Sequence, residues 1–86
     1  MVVYGYKRTE VTEEGLLEMK EVTFVAGPND LRSVAKFLLK MADEMESGAF
    51  GHTHRHMDCV VKGWAQRNPG VDIVVVPPDP DEDRKG

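Results

Sequence analysis

The segment that decides the fold is GPNDLRSVAKFLLKMADEMESG, residues 27–48. Its apolar residues recur with a period of about 3.6, which predicts an amphipathic α-helix that ends near Ser47. Asn29 or Asp30 is predicted to cap the first turn, and Gly48 to terminate the last one. The apolar stripe covers roughly half of the circumference, a width that suits packing on a sheet. Its members are Leu31, Val34, Ala35, Leu38, Ala42 and Met45, with Phe37, Leu39 and Met41 at the margins.

Two extended segments precede the helix. Residues 2–7 and 16–26 are rich in β-branched, aromatic and other apolar side chains and flank a polar, turn-like stretch, which predicts a β-hairpin. Within the second segment, one alternating set at odd positions consists of Leu17 and Met19, whereas a second set at even positions consists of Val22, Phe24 and Ala26. A β-bulge at residues 20–21 would bring both sets to one face, because a bulge inserts one unpaired residue into a strand.

The chain after the helix supports two predictions for residues 51–67. A strand is favoured by the period of two that relates His52, His54, His56 and Asp58. A helix is favoured by the helical period that relates Met57, Val60, Val61, Trp64 and Ala65. We prefer a strand over residues 52–58 and then a turn or short helix, on the basis of a resemblance given below. Residues 71–76 form a nearly continuous β-branched run, which predicts a central strand buried on both faces.

These elements predict one α+β domain over residues 1–76, in the order ββαββ. Its mostly antiparallel four-stranded sheet would be covered on one face by the helix. The open face predicts a homodimer or another protein partner, since large exposed apolar patches mark interaction sites. The remaining segment PPDPDEDRKG, residues 77–86, has three prolines and four acids against two bases, and it is predicted to be a disordered acidic tail.

The composition argues against several classes of protein. With 11 Lys and Arg against 15 Asp and Glu, the net charge of −4 speaks against a nucleic-acid-binding surface. No apolar run approaches the ~18 residues of a membrane span. A single cysteine and the lack of a long apolar leader predict a cytoplasmic protein.

All three histidines of the chain fall within five residues, at positions 52, 54 and 56. On a strand they would share one face with neighbours ~6.7 Å apart, so His54 and His56 could chelate zinc together, but the outer two would be too distant. Asp58 and Cys59 are suitable further ligands, yet no established metal-binding spacing is present. The sequence therefore predicts no metal or other cofactor and a histidine surface that contacts a partner. A zinc-binding or metal-sensing module that uses the histidine cluster, with His54 and His56 as ligands, is the alternative.

Two further residues have two interpretations each. Cys59 could act as a nucleophile with His56 as its base, but nothing around it is predicted to lower the thiol pKa. A buried, unreactive Cys59 and a non-enzymatic protein are therefore predicted. Trp64 is either a core residue that caps the sheet or a partner-binding hot spot, a role in which tryptophan is enriched.

Three blocks of the sequence resemble a known family when taken in order. They are NDLRSVAKFLLKMADEME at 29–46, GHTHRHMD at 51–58 and GWAQRNPGVDIVVV at 63–76. Together they are similar to the immunity protein 32 family of bacterial polymorphic toxin systems, and the resemblance spans about residues 22–76. It matches His54 and His56 to paired histidines and Asp58 to the acid that follows them, whereas His52 is additional.

The resemblance implies a cytoplasmic, non-enzymatic protein that binds and neutralises a cognate toxin. The N-terminal hairpin and the acidic tail lie outside the resemblance. The residues predicted to contact the partner are His52, His54, His56, Asp58 and Trp64.

Overall fold

The structure, a computed structural model, describes residues 1–11 and 17–78. Its elements, in chain order, are β1 (Val2–Val11), β2 (Leu17–Val25), α1 (Pro28–Ser47), β3 (Arg55–His56), α2 (Met57–Val60), α3 (Trp64–Arg67) and β4 (Val74–Val75). The α+β class and the order of two strands, a long helix and two more strands are confirmed. The single four-stranded sheet is not, because the strands form two separate antiparallel pairs, β1 with β2 and β3 with β4.

The β1–β2 hairpin contains the predicted bulge. Tyr6 pairs with Glu21, but Lys7 pairs with Met19, so Lys20 is the extra residue of the second strand. The change of parity among the apolar residues of β2 is thus matched by a change in register. The predicted bulge at residues 20–21 is confirmed.

The bulge gathers large apolar side chains on one face of the hairpin. This ribbon face consists of Val3, Met19, Val22 and Phe24, since Val3 lies opposite Phe24 and Met19 lies beyond the bulge. Gly5, opposite Val22, leaves room for Met19, because a Cβ at Gly5 would overlap the methionine side chain. All four ribbon-face side chains are exposed, with relative accessibilities between 39% and 49%.

The N-cap of helix α1 lies two residues before Asn29 and three before Asp30, the two predicted cap positions. This N-cap is Gly27, which offers no side-chain hydrogen bond, so the prediction of a cap at Asn29 or Asp30 was wrong. Pro28 occupies the first turn, where the missing N–H has no intrahelical partner to lose. Gly48 adopts a left-handed φ of 84° and its N–H bonds to the Met45 carbonyl, so the predicted C-terminus is confirmed.

The buried face of α1 is centred on Val34, Phe37 and Met41. Leu38, which the sequence placed inside, is 43% exposed. The predicted stripe was broad enough to allow more than one rotation of the helix about its axis. In the structure the margin residues Phe37 and Met41 face the core. A second apolar row therefore faces outward. We call it the helix stripe, and it consists of Leu31, Ala35, Leu38 and Ala42.

The strands that follow α1 are much shorter than predicted. The strand expected over residues 52–58 is reduced to β3, and the one expected over residues 71–76 is reduced to β4. One reason is that the Asp72 carboxylate accepts the N–H groups of Asp58 and Ile73, which are then unavailable for a ladder. Burial also alternates along residues 71–77, so the prediction of a strand buried on both faces was wrong.

The helical period in residues 57–65 reflects α2 and α3, each of four residues. They are separated at Gly63, whose φ of 83° lies in the left-handed region that glycine tolerates best. Residues 51–67 therefore combine both predictions, a very short strand and two single helical turns.

The hydrophobic core is built mostly from α1 and the segment that follows it. Its buried members are Val34, Phe37, Met41, Phe50, Met57 and Trp64. Partly buried side chains pack around them, namely Met1, Met45, Val60, Val61, Ile73 and Val75. The core thus joins α1 to the α2–α3 segment and β4, whereas the ribbon face lies outside it.

Within residues 1–11 and 17–78, none of the helices has both the length and the hydrophobicity needed to cross a bilayer. The predicted disordered tail lies outside the described residues from position 79 onward. Pro77 and Pro78 are described and line a cleft together with Met45 and Phe50.

Truncation after Pro78 is expected to leave the thermal midpoint within about two degrees, which corresponds to well under ~1 kcal/mol for a domain of this size. The removed residues carry four acids and a third proline, which are poor candidates for burial. Thermal unfolding followed by circular dichroism tests this. A fall of five degrees or more would mean that the tail packs on the domain.

Candidate functional site

The structure brings together most of the predicted histidine site. The rings of His54 and His56 meet edge to face, with centroids 4.9 Å apart and an interplanar angle of 74°. Asp58 follows in the first turn of α2. His52 is exposed and lines the cleft near Phe50 and Pro77. The predicted set is therefore divided between a cluster around His56 and a separate position for His52.

The centre of this cluster is a carboxylate that the sequence interpretation did not single out. Asp72 Oδ2 lies 2.7 Å from His56 Nδ1, and Asp72 Oδ1 accepts the backbone N–H groups of Asp58 at 3.0 Å and Ile73 at 2.9 Å. Asp72 comes just before β4, whereas its partners His56 and Asp58 lie in β3 and α2. One side chain thus joins two segments that are separated by more than a dozen residues.

Opposing effects act on the Asp72 carboxyl group. Burial tends to raise its pKa, but the hydrogen bonds from His56 and from the two backbone N–H groups outweigh burial, and the net pKa is lowered. Asp72 is therefore ionised at neutral pH. Because an ionised carboxylate can only accept, His56 Nδ1 must carry the proton in this hydrogen bond.

A neighbouring arginine, Arg55, makes several contacts that position the histidine segment. Arg55 Nη2 donates to the Phe50 carbonyl at 3.1 Å, and Nη1 donates to Thr53 Oγ1 at 2.6 Å. The guanidinium also lies 4.8 Å from the centre of the Phe50 ring, and its Nε is 3.9 Å from a carboxylate oxygen of Glu44 on α1. Arg55 thus connects the loop to α1, and these contacts are with residues other than Asp72.

Three side chains in the cluster have donor atoms that converge. One donor atom from each of His56, Asp58 and Asp72 lies within 4.8 Å of the others. An imidazole with two carboxylates can hold a divalent cation or orient a proton donor. Among the described residues this is the group of His, Cys, Asp and Glu side chains with the spacing of a metal site.

Cys59 is exposed, so the prediction of a buried cysteine was wrong. The neighbouring Asp58 carboxylate, slight desolvation and the charge of Asp72 all raise the thiol pKa. A nucleophilic cysteine needs the opposite shift, because the thiolate is the reactive form. The local electrostatics therefore oppose a catalytic role for Cys59.

Trp64 lies in the core. Its side chain has a relative accessibility of 0%, and its indole N–H donates to the Val71 carbonyl at 3.0 Å. A fully buried side chain cannot touch a partner while the domain stays folded. Trp64 is therefore removed from the candidate binding residues, and the alternative role, a core residue, matches the structure.

Replacing Asp72 by Ala is expected to lower the free energy of unfolding by ~1–3 kcal/mol, because three hydrogen bonds to an ionised group are lost. Urea unfolding followed by circular dichroism measures the change. Asp43→Ala, on the exposed face of α1, is the matched control and is expected to stay within ~0.5 kcal/mol. Equal losses in the two variants would show that Asp72 does not join β3 to β4.

Comparisons with known proteins give no match: no protein-family model, no curated protein and no solved structure is similar to this chain at a significant level. The resemblance to the immunity family, carried by residues 29–46, 51–58 and 63–76, accordingly stays a prediction.

Proposed function

We propose that this chain is a non-enzymatic protein-binding domain of the immunity type, which binds and neutralises a cognate bacterial toxin. The observation that carries the protein-binding part is the exposed ribbon face. Its four large apolar side chains lie on a two-stranded hairpin, outside the hydrophobic core. A hairpin of this kind is at best marginally stable alone in water, and a covering partner would remove its apolar surface from solvent.

The hairpin also offers a second kind of contact. β1 and β2 form a two-stranded sheet, so each strand has one edge on which backbone N–H and C=O groups are not paired within the sheet. A strand of a partner protein can add to such an edge, with backbone hydrogen bonds supplying affinity and side chains on the faces supplying specificity. The ribbon therefore combines an apolar face with strand edges that have no further strand beside them in the two-stranded sheet.

The class of the partner rests on the sequence resemblance alone. A toxin domain is proposed because residues 29–46, 51–58 and 63–76 are similar to an immunity family. The raised pKa of the Cys59 thiol favours a binding protein over a thiol enzyme. The homodimer predicted through the open sheet face would place a second copy of the chain on the same ribbon face.

The test begins with the gene immediately upstream: if it encodes a toxin-like protein, that protein is co-expressed with the chain in a bacterial host. We expect wild-type protein to restore growth and to bind the toxin with one-to-one stoichiometry. Phe24→Glu is expected to weaken binding at least ~30-fold, because charge would be buried where an aromatic side chain packed.

Thr23→Glu is the matched control for this experiment. Thr23 is exposed, belongs to the same strand and points to the opposite face of the hairpin, so it receives the same charge without touching the ribbon face. We expect its binding and growth protection to match wild type. Failure of the wild type to protect would contradict the immunity role, and equal binding by both variants would contradict the ribbon face as the site.

Light scattering of the free protein distinguishes between the two occupants considered for the ribbon face, a toxin and a second copy of the chain. A monomer supports a toxin on the ribbon face. A wild-type dimer that Phe24→Glu converts to a monomer would show that a second copy is the occupant instead.

A further inference from the structure

We propose that His56, Asp58 and Asp72 form a binding site for a divalent transition-metal ion of the zinc, cobalt or manganese class. One donor atom of each side chain lies within 4.8 Å of the other two. This site is separate from the ribbon face and does not depend on the proposed immunity function.

The ligands are held in place by the backbone. β3 pairs with β4, and the Met57 N–H donates to the Ile73 carbonyl at 2.8 Å, immediately beside the cluster. The two N–H groups that bond to Asp72 Oδ1 fix the orientation of that carboxylate and leave Oδ2 turned toward His56. A ligand whose outer hydrogen bonds are already made loses little freedom on binding a metal.

The charges in the cluster favour a cation. Two carboxylates, those of Asp58 and Asp72, lie beside the single imidazole of His56. The adjacent cation Arg55 is turned to Phe50, Thr53 and Glu44 instead. A bound divalent ion would balance the two carboxylates.

The donor set selects the type of ion. One imidazole nitrogen and two carboxylate oxygens suit ions that accept both nitrogen and oxygen ligands, whereas Mg²⁺ and Ca²⁺ prefer oxygen alone. His56 Nδ1 now bonds to Asp72 Oδ2 through a proton. For Nδ1 to bind the metal, this proton leaves for solvent and the neutral ring takes up a proton at Nε2, so that Nδ1 and Asp72 Oδ2 can both face the ion. Three protein ligands leave coordination positions of the metal for water. The imidazole of His54 is in contact with that of His56.

This site differs from the alternative that the sequence left open. The histidine spacing paired His54 with His56, and although Asp58 and Cys59 were suitable further ligands, no established spacing fixed a third one, which was the reason to predict no metal. Asp72 supplies that ligand, and its position next to His56 depends on the pairing of β3 with β4. The shared member of the two sets is His56.

The test uses the full chain and the metals alone. Titration with Zn²⁺ by calorimetry and with Co²⁺ by visible absorption is expected to show one-to-one saturation. His56→Gln and Asp58→Asn are each expected to weaken binding by at least ~10-fold. Asp58→Asn keeps the backbone N–H that bonds to Asp72, so it separates loss of a ligand from loss of structure.

His52→Gln is the matched control, since His52 belongs to the same histidine run but lines the cleft near Phe50 and Pro77 and is not a member of the cluster. Its affinity is expected to stay within twofold of wild type. Circular dichroism of every variant confirms the fold. The proposal is overturned by saturation only above about 1 mM, an affinity near −4 kcal/mol, by non-stoichiometric uptake, or by equal weakening in His52→Gln and Asp58→Asn.

Discussion

Trp64→Ala is expected to lower the free energy of unfolding by ~3–5 kcal/mol. The side chain has no exposed surface and is the largest member of the core, so its removal leaves a cavity that the surrounding residues can fill only in part. It also removes the indole N–H that donates to the Val71 carbonyl. Since whole domains are stable by only ~5–15 kcal/mol, a domain at the lower end of this range would become partly unfolded at 25 °C. Urea unfolding followed by circular dichroism at 222 nm measures it.

Trp64→Phe is the control that separates packing from hydrogen bonding. It keeps an aromatic ring in the core but has no N–H for the Val71 carbonyl, and a loss of ~1–3 kcal/mol is expected. A Trp64→Ala variant with unchanged stability and lost partner binding would contradict the buried position. It would restore the other interpretation of the sequence, in which Trp64 is a contact residue.

The hairpin was predictable from the sequence because its signal is local. A strand has a period of two, so the change of parity between Met19 and Val22 required one extra residue between them. The structure places this residue at Lys20. The exposure of the ribbon face was not predictable, since the same alternation would suit a hairpin that packs on a helix.

The lengths of β3 and β4 were not predictable from composition. The run from Val71 to Val76 has the side chains of a central strand. The Asp72 carboxylate, however, accepts hydrogen bonds from the backbone N–H groups of Asp58 and Ile73. Intrinsic β-propensity is easily overruled by such contacts. Because those contacts join β3 and α2 to the segment before β4, no pattern within either segment reveals them.

The candidate site was predictable in part. The concentration of histidines pointed to the correct segment, and the structure brings His54, His56 and Asp58 together. Asp72 was missed, although one signal was present: it is an isolated acid at the start of a β-branched run. A charged residue in that position needs a polar partner when the strand is built into a domain.

Phe37→Ala is expected to cost ~3–5 kcal/mol, whereas Leu38→Ala is expected to cost less than ~1.5 kcal/mol. Successive residues of a helix point about 100° apart, so these neighbours test the rotation of α1 about its axis. Phe37 is buried in the core and Leu38 is exposed in the helix stripe. Lys36→Ala, on the polar face, is expected to stay within ~0.5 kcal/mol and serves as the baseline.

The dependence of these losses on protein concentration shows whether anything covers the helix stripe. In a monomer, the midpoint of unfolding is independent of concentration for Phe37→Ala and Leu38→Ala alike. If a second copy covers the stripe, the wild-type midpoint rises with concentration and Leu38→Ala removes that rise, because association stabilises the folded state by mass action. A loss for Leu38→Ala as large as that for Phe37→Ala, at a concentration where the protein is a monomer, would contradict the orientation of α1 and place the helix stripe in the core.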